Sequence, residues 1–508
     1  MKKNRLHIFM FLSILTGALF SCEDLDQYPN TSYASDVVFD TPTRVDQQVN
    51  GLYDAVKDGN FLGSRVLIYN DIRGEEFINR TSNGVTGLQT WNFTLVESTN
   101  EVNNTWIAGY QAINQINTFL QGLDDNVAKF VAPNFTPDFA TTTAINYRAE
   151  ARFLRAVSYY YLVTLYAQPY TKDGGASDGL PLRLQAENTV DNNNLKRSSV
   201  AQVYAQILDD LNYAEANLPA TGSTNRAHVN TAIAFKTRVY LTMGDWAKTI
   251  TEANKIVTAS APFSAPTGTK FQLASTFGAV FATPWTSAES IFSFPFTTLD
   301  APGGQSQLGY YYLPATSSTV KSTPNANAGN GDYPLSRGAT GIFSDPAWAK
   351  TDARRAFTAY LTTNSNKDTV YYLTKFSSAS PYVDSSPVIR YAEILLDLAE
   401  AITRSSQTVD ARAVALLNAV YIRSNPAAAA LTVGDFADYN ALIAALLKQR
   451  RIEFLGEGLR SIDIMRLSQN FPTKPGVTAP VTPADKNYIW PMPSLELNTN
   501  HDLAPNPR

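Results

Sequence analysis

Near its C-terminal end the chain reads Leu446-Leu447-Lys448-Gln449-Arg450-Arg451-Ile452-Glu453-Phe454-Leu455-Gly456-Glu457-Gly458-Leu459-Arg460-Ser461-Ile462-Asp463-Ile464-Met465-Arg466. At ~100° per residue, the first half forms a helix with Leu442, Ile443, Leu446, Leu447 and Phe454 on one face. Arg450 and Glu453 fall inside the same apolar arc. Charges that point into a core need partners, because an unpaired buried charge is costly. Arg450 and Glu453 are three apart and can meet on one helix face. Glu457-Gly458 interrupts the helix, since glycine is the usual residue where a helix ends in a left-handed turn. Arg460, Asp463 and Arg466 then recur at spacing three on a second short helix. The stretch reads as a corner between two helices, locked by a network of charges.

Paired carboxylates at such a corner can also mean acid–base catalysis. Here every carboxylate has an arginine at helical spacing, which holds its pKa down. A general acid needs its pKa raised. The structural reading is therefore preferred.

The same stretch resembles the C-terminal signature of the SusD/RagB family of outer-membrane, nutrient-binding lipoproteins. That signature is Arg-x-x-Glu, three residues, then Glu-Gly-x-Arg-x-x-Asp-x-x-Arg. Arg450, Glu453, Glu457, Gly458, Arg460, Asp463 and Arg466 all match it. The motif marks the family and is structural; it is not the binding site.

Outward from the corner, composition sets bounds. The chain has 508 residues, 17% charged and 44% hydrophobic, with a formal net charge of −4. That suits a globular protein with a large core. Nothing suggests nucleic acid, which calls for a basic surface. Lys2, Lys3 and Arg5 precede an apolar run from Ile8 to Phe20, as in an export signal too short to span a membrane. Leu19-Phe20-Ser21-Cys22 resembles a bacterial lipobox. Cys22 is the single cysteine, so no disulfide can form within the chain, and lipidation explains an otherwise unpaired thiol. The alternative is a secretory signal with an accidental cysteine. Beyond the signal, no run approaches the ~18 apolar residues that a span requires.

Histidine is scarce. Of three, His7 lies in the signal, leaving His228 and His501. A Cys/His zinc site is excluded, and no Gly-x-Ser-x-Gly elbow or Gly-x-x-x-x-Gly-Lys phosphate loop is present.

The expected organisation is a signal peptide at 1–21, a tether at 22–42 and a single domain at 43–508. Its helical scaffold lies mainly at 43–57, 103–260 and 388–468, with a loop-rich ligand region at 58–97 and 261–387. The spacing predicts helices from Arg44 to Lys57 and from Tyr147 to Tyr166. A further helix follows Ser199, which forms a capping box with Gln202. Gly244 and Asp245 suit a helix end and the next N-cap, so two antiparallel helices meet there at tetratricopeptide-like spacing. A second pair is expected at Val388–Arg404 and Val409–Arg423, and one strand at Glu289–Phe294. Residues 58–97 and 297–340 carry no helical period and read as irregular. Trp106, on a helical stripe, reads as core.

Sugars have apolar faces ringed by hydroxyls, so a site needs flat rings with Asn, Asp or Arg beside them. Loops on a rigid scaffold are the expected place. One segment offers Trp91 with Asn70, Asp71, Arg73 and Asn92. Another offers Tyr310 and Tyr311 in Gly309-Tyr310-Tyr311-Tyr312, with Trp285 upstream and Trp348 downstream. Three consecutive tyrosines on an extended chain cannot all face a core, so one ring faces solvent or ligand. The candidate ligand residues are Trp91, Tyr310, Tyr311, Asp71 and Arg73; no catalytic or metal residue is named.

The resemblance further implies a mainly α fold, with four tetratricopeptide-like helix pairs in a right-handed scaffold and a loop-rich region packed on it. It implies an outer-membrane lipoprotein, lipid-anchored at Cys22 and exposed at the cell surface. Such a protein binds a glycan or peptide oligomer and works as a hinged lid with a SusC-like TonB-dependent transporter. The glycan is the preferred ligand, no chemistry on it is implied, and no cofactor is called for beyond the lipid, a calcium ion being left open. The competing classes are a glycosidase using two carboxylates and a lipid-anchored scaffold that binds only proteins.

Overall fold

The computed structural model describes residues 37–301, 303–315, 320–323, 327–363 and 369–507. Cys22, the signal segment and the tether as far as residue 36 lie outside the described residues.

The helical scaffold begins two residues before the expected Arg44. Thr41 accepts from the Arg44 N–H at 3.3 Å and Pro42 takes the first helical position, so the helix is Pro42–Val56. The helices Asn100–Asp125, Ala144–Tyr166, Val200–Asn217, Val229–Met243 and Trp246–Ile256 follow, then Tyr391–Ser406, Ala411–Ser424 and Tyr439–Glu453. Successive helices pack on one another as antiparallel pairs, the mainly α, tetratricopeptide-like architecture expected. The predicted caps are present. Ser199 and Gln202 exchange both bonds of a capping box, at 3.2 and 2.8 Å. Gly244 turns left-handed at φ 75°, and Asp245 caps the next helix. Ala144–Tyr166 is the innermost helix. Every residue in it from Phe153 on is buried, as a helix apolar on all sides must be.

Strand β1, Ser290–Phe294, is where the sequence puts it and pairs antiparallel with β5, Ser386–Arg390. A second small antiparallel sheet orders β2 (Val320–Thr323), β3 (Thr358–Thr363) and β4 (Thr369–Leu373) and has no counterpart in the sequence reading.

Two segments read as irregular contain helices. Arg65–Ile72 is helical, and all eight of its residues are buried. A helix wrapped on every side shows no amphipathic period, so the pattern that reveals surface helices is silent here. Leu88–Asn92 and Leu308–Tyr312 are single turns, too short to show one.

The C-terminal corner is a charge network, but its pairing differs from the expected one. The helix ends at Glu453, and both Gly456 (φ 84°) and Gly458 (φ 78°) are left-handed before Arg460–Arg466 begins. Arg450 does not pair with Glu453. It pairs instead with Asp397 and, at 3.1 Å, with Asp463. Glu453 accepts from Arg354 at 3.0 Å, Arg390 at 3.0 Å and Arg423 at 2.5 Å. Arg450 and Glu453 lose each other to partners from other elements because their side chains point into a crowded interior, whereas Arg466 does pair with Asp463 at 2.8 Å on its own helix. Burial alone would raise the Glu453 carboxyl, but the Arg423, Arg390 and Arg354 guanidinium groups outweigh it and hold it well below the ordinary range. Arg390 and Lys375 do the same for Glu457, and Arg450 and Arg466 for Asp463.

The corner also fastens the loop region to the scaffold. Arg460 pairs with Glu75 at 2.5 Å and Arg451 with Glu76 at 2.7 Å. Lys375 reaches Glu457 at 2.7 Å. The Gly458 N–H donates to Asp71 at 2.9 Å.

Candidate functional site

The corner and the buried Arg65–Ile72 helix draw the two predicted loop segments together. The Tyr312 hydroxyl donates to Asp71 at 3.3 Å, and the Phe77 and Tyr312 rings lie 4.9 Å apart. The chain after Phe77 runs antiparallel to residues 332–335. The Ile78 N–H donates to Pro334 and that of Arg80 to Asp332, both at 2.8 Å. The sequence offered these two segments separately; the fold brings them side by side.

The residues singled out within them are mostly turned inward. Tyr311 is 0% exposed, Arg73 1%, Asp71 2% and Trp91 5%. The Arg73 guanidinium lies 4.5 Å over the Phe471 ring and donates to the Tyr488 carbonyl at 2.5 Å; burial brings its pKa down to about 10. Trp91 donates to the Phe77 carbonyl at 3.4 Å beneath the Lys474 ammonium. Asp71 holds Tyr312 and the Gly458 backbone, and burial pushes its carboxyl up to about 7. Asn70 and Trp348 are also buried. These side chains form the layer that supports a surface rather than the surface itself.

The argument for an exposed ring assumed an extended chain. Leu308–Tyr312 is a helical turn, where neighbours stand ~100° apart, so Tyr311 and Tyr312 both turn inward. The Tyr311 hydroxyl donates to the Gln305 carbonyl at 2.5 Å and accepts from Arg65 at 3.3 Å. Tyr311→Phe should therefore lower stability by about 1 kcal/mol, the typical net value of one hydrogen bond, and leave ligand affinity unchanged. A melting curve and a calorimetric titration on the same variant check this.

Tyr310 is the candidate that reaches the surface. Its half-buried ring stands 6.1 Å from Tyr382 at 84° and 5.3 Å from Tyr311 at 83°. The Asn330 N–H donates to the Tyr310 carbonyl at 2.7 Å. The Asn330 amide, exposed, donates to Asp332 at 2.5 Å. Burial raises the Asp332 carboxyl above its ordinary value. Arg80, exposed, follows on the strand paired with Asp332. Tyr310 and Asn330 thus reach the surface together with the Asp332 carboxyl buried behind them, and exposed Arg80 stands on the strand whose backbone pairs with Asp332. Such a face can stack an apolar sugar plane and exchange hydrogen bonds with its hydroxyls. Arg80, Asn330 and Asp332 were missed. Arg80 is the one charge in Asn79-Arg80-Thr81-Ser82-Asn83-Gly84, and that isolation was the available signal. Among the described residues no group of three or more His, Cys, Asp or Glu is placed to hold a metal ion.

Comparison with known proteins identifies the family. A family model described as "SusD family" matches residues 167–508, and one described as "Starch-binding associating with outer membrane" matches 24–241. The chain belongs to the SusD family. This is a family of carbohydrate- and nutrient-binding proteins. SusD-like protein P2 of Formosa agariphila is 26% identical, covering 100% of this chain and 99% of its own. A SusD superfamily protein from Bacteroides fragilis is 33% identical over 92% of this chain and 99% of that one, with a TM-score of 0.77. A structure named as a laminarin-binding SusD-like protein superposes with a TM-score of 0.69 at 21% identity, covering 92% of this chain and 100% of that one. The SusD signature residues Glu453, Glu457 and Asp463 all lie in the corner, away from the Tyr310–Arg80 surface.

Proposed function

We propose that this SusD-family chain is a lipoprotein, anchored to the outer membrane through Cys22, that captures an oligosaccharide. It delivers that sugar to a SusC-like TonB-dependent transporter and makes no chemical change to it. One observation carries the reading. Backbone pairing joins the two loop segments, bringing a half-buried tyrosine and an exposed amide to the surface, with exposed Arg80 on the paired strand. Laminarin binding by a protein of the same fold supports a glycan as the ligand class.

The test is a binding screen of the soluble form beginning after Cys22, against glycans and peptides. Affinity for a glycan is expected. Affinity for peptides alone overturns the glycan reading, and turnover of an oligosaccharide overturns the binding-only role. Within that screen, Arg80→Ala and Tyr310→Ala should each weaken binding several-fold, about 1 kcal/mol for one stacking or hydrogen-bonding contact. Unchanged affinity in both, measured by calorimetry, would move the site elsewhere.

The anchor has its own test. Cys22→Ala should leave the melting temperature unchanged and release the chain from membranes in cells lacking the transporter. Continued fractionation with the outer membrane would sink the lipid anchor.

A further inference from the structure

A second open groove shares no lining residue with the Tyr310–Arg80 face. It measures about 310 Å3 and is walled by the Asn100–Asp125 helix, the 183–193 segment and Glu496. That volume lies within the range of small-molecule sites, about 300–1,000 Å3. Trp106 and Tyr110, one helical turn apart, bring their rings to 4.5 Å at 34°. Trp106 backs the pair and is buried, while Tyr110 is half-buried and faces the groove. Gln111, Arg183, Glu187 and Thr189 stand around them.

The polar rim is fixed by bonds made around it. Glu496 accepts from Arg183 at 3.2 Å, from Asn500 at 3.1 Å and from the Trp106 indole N–H at 3.3 Å. Arg183 also donates to the carbonyls of Asn192 at 3.0 Å and Asn193 at 2.9 Å. The Asn114 amide clasps the Glu187 backbone in both directions, at 3.1 and 2.8 Å. Rings and polar groups are thus held before any ligand arrives, which lowers the ordering cost of binding.

We propose that this groove is a second saccharide site, for a neutral sugar seated against the half-buried Tyr110 ring, which Trp106 backs, with its hydroxyls shared among Gln111, Arg183 and Glu187. A flat ring beside a guanidinium, an amide and a carboxylate matches a sugar with one apolar face and hydroxyls at its edge. Charge sets the class further. Two carboxylates, Glu187 and Glu496, face one guanidinium, Arg183. Arg183 is engaged by Glu496 and two backbone carbonyls. Arg197, which also acts on the Tyr110 hydroxyl, is engaged by the Asp178 and Gly179 carbonyls. An anionic sugar therefore finds no dedicated counter-charge, and a neutral one is favoured.

Saturation-transfer NMR on the purified mature chain tests this, with maltohexaose, laminarihexaose and cellohexaose as neutral probes and an alginate hexamer as the anionic one. The Arg80→Ala/Tyr310→Ala double variant silences the first face. Thr189→Trp, at an exposed position on the groove rim, fills the second without touching the core, and its melting temperature verifies the fold. In the double variant at least one neutral probe should still receive saturation, the alginate hexamer should not, and adding Thr189→Trp should cut the transfer at least five-fold. The proposal is overturned if no neutral probe responds in the double variant, if Thr189→Trp leaves the transfer unchanged, or if alginate responds as strongly. If the double variant keeps all wild-type binding and Thr189→Trp alone removes it, the Arg80 face is refuted and this groove stands.

Discussion

Glu453→Ala is expected to cost the fold about 3–5 kcal/mol, the scale for breaking a buried ion pair by removing one partner. The side chain is 0% exposed and accepts from Arg354, Arg390 and Arg423. Arg390, Arg354 and Arg423 keep Glu289, Glu457 and Asp352, but each loses one partner at a buried position. Chemical denaturation of the variant reads the loss directly, and a loss below about 1 kcal/mol would show the network to be dispensable. The pH dependence carries the sign. The folded Glu453 carboxyl is held below its unfolded value, so its contribution is present above the ordinary carboxylate pKa and fades as pH falls toward the folded one. The gap between wild type and variant should therefore narrow in acid.

Gly458→Ala should be nearly as damaging. Its φ of 78° costs an L-residue about 1–2 kcal/mol. A Cβ there would also lie 2.6 Å from the Leu67 Cα, a backbone atom of the buried helix that carries Asp71. Relieving that overlap moves one element off another, at a further cost of about 1–3 kcal/mol. Gly244→Ala is the control. Its φ is 75°, but the nearest atom, Thr171 Cγ2, is at 3.4 Å, so only the conformational cost of about 1–2 kcal/mol applies. Equal midpoint shifts for the two variants would show that close approach to Leu67 has no weight. A larger shift at Gly458 places the corner as the joint between scaffold and loops.

The candidate site was legible in part. The two segments that carry the proposed site were singled out because aromatic and polar residues gather there without helical period. Its members were not readable. Tyr311 and Tyr310 are chemically identical neighbours, and a single helical turn decides that one ring is buried against Arg65 while the other reaches the surface. Arg73 and Arg80 lie seven residues apart; one is buried over Phe471 and the other is exposed. No local pattern separates them, because burial depends on chain more than two hundred residues away.

By itself the sequence determined what short-range physics governs. The Ser199–Gln202 capping box and the Gly244–Asp245 turn arise from residues one to three apart and stand where expected. The helix expected from Val388, by contrast, starts only at Tyr391, because Val388 to Arg390 belong to strand β5, which pairs with β1. The sequence also marked Arg450 and Glu453 as charges facing the core and in need of partners, and Glu457, Arg460, Asp463 and Arg466 as members of the same charge network. Only the tertiary structure decided who those partners are. Arg450 takes Asp397 rather than Glu453, and Asp71 is drawn to Gly458. A buried charge takes whichever opposite charge the packing delivers in good geometry; spacing along one helix sets a few such pairs, as with Arg466 and Asp463, but not those supplied by distant helices.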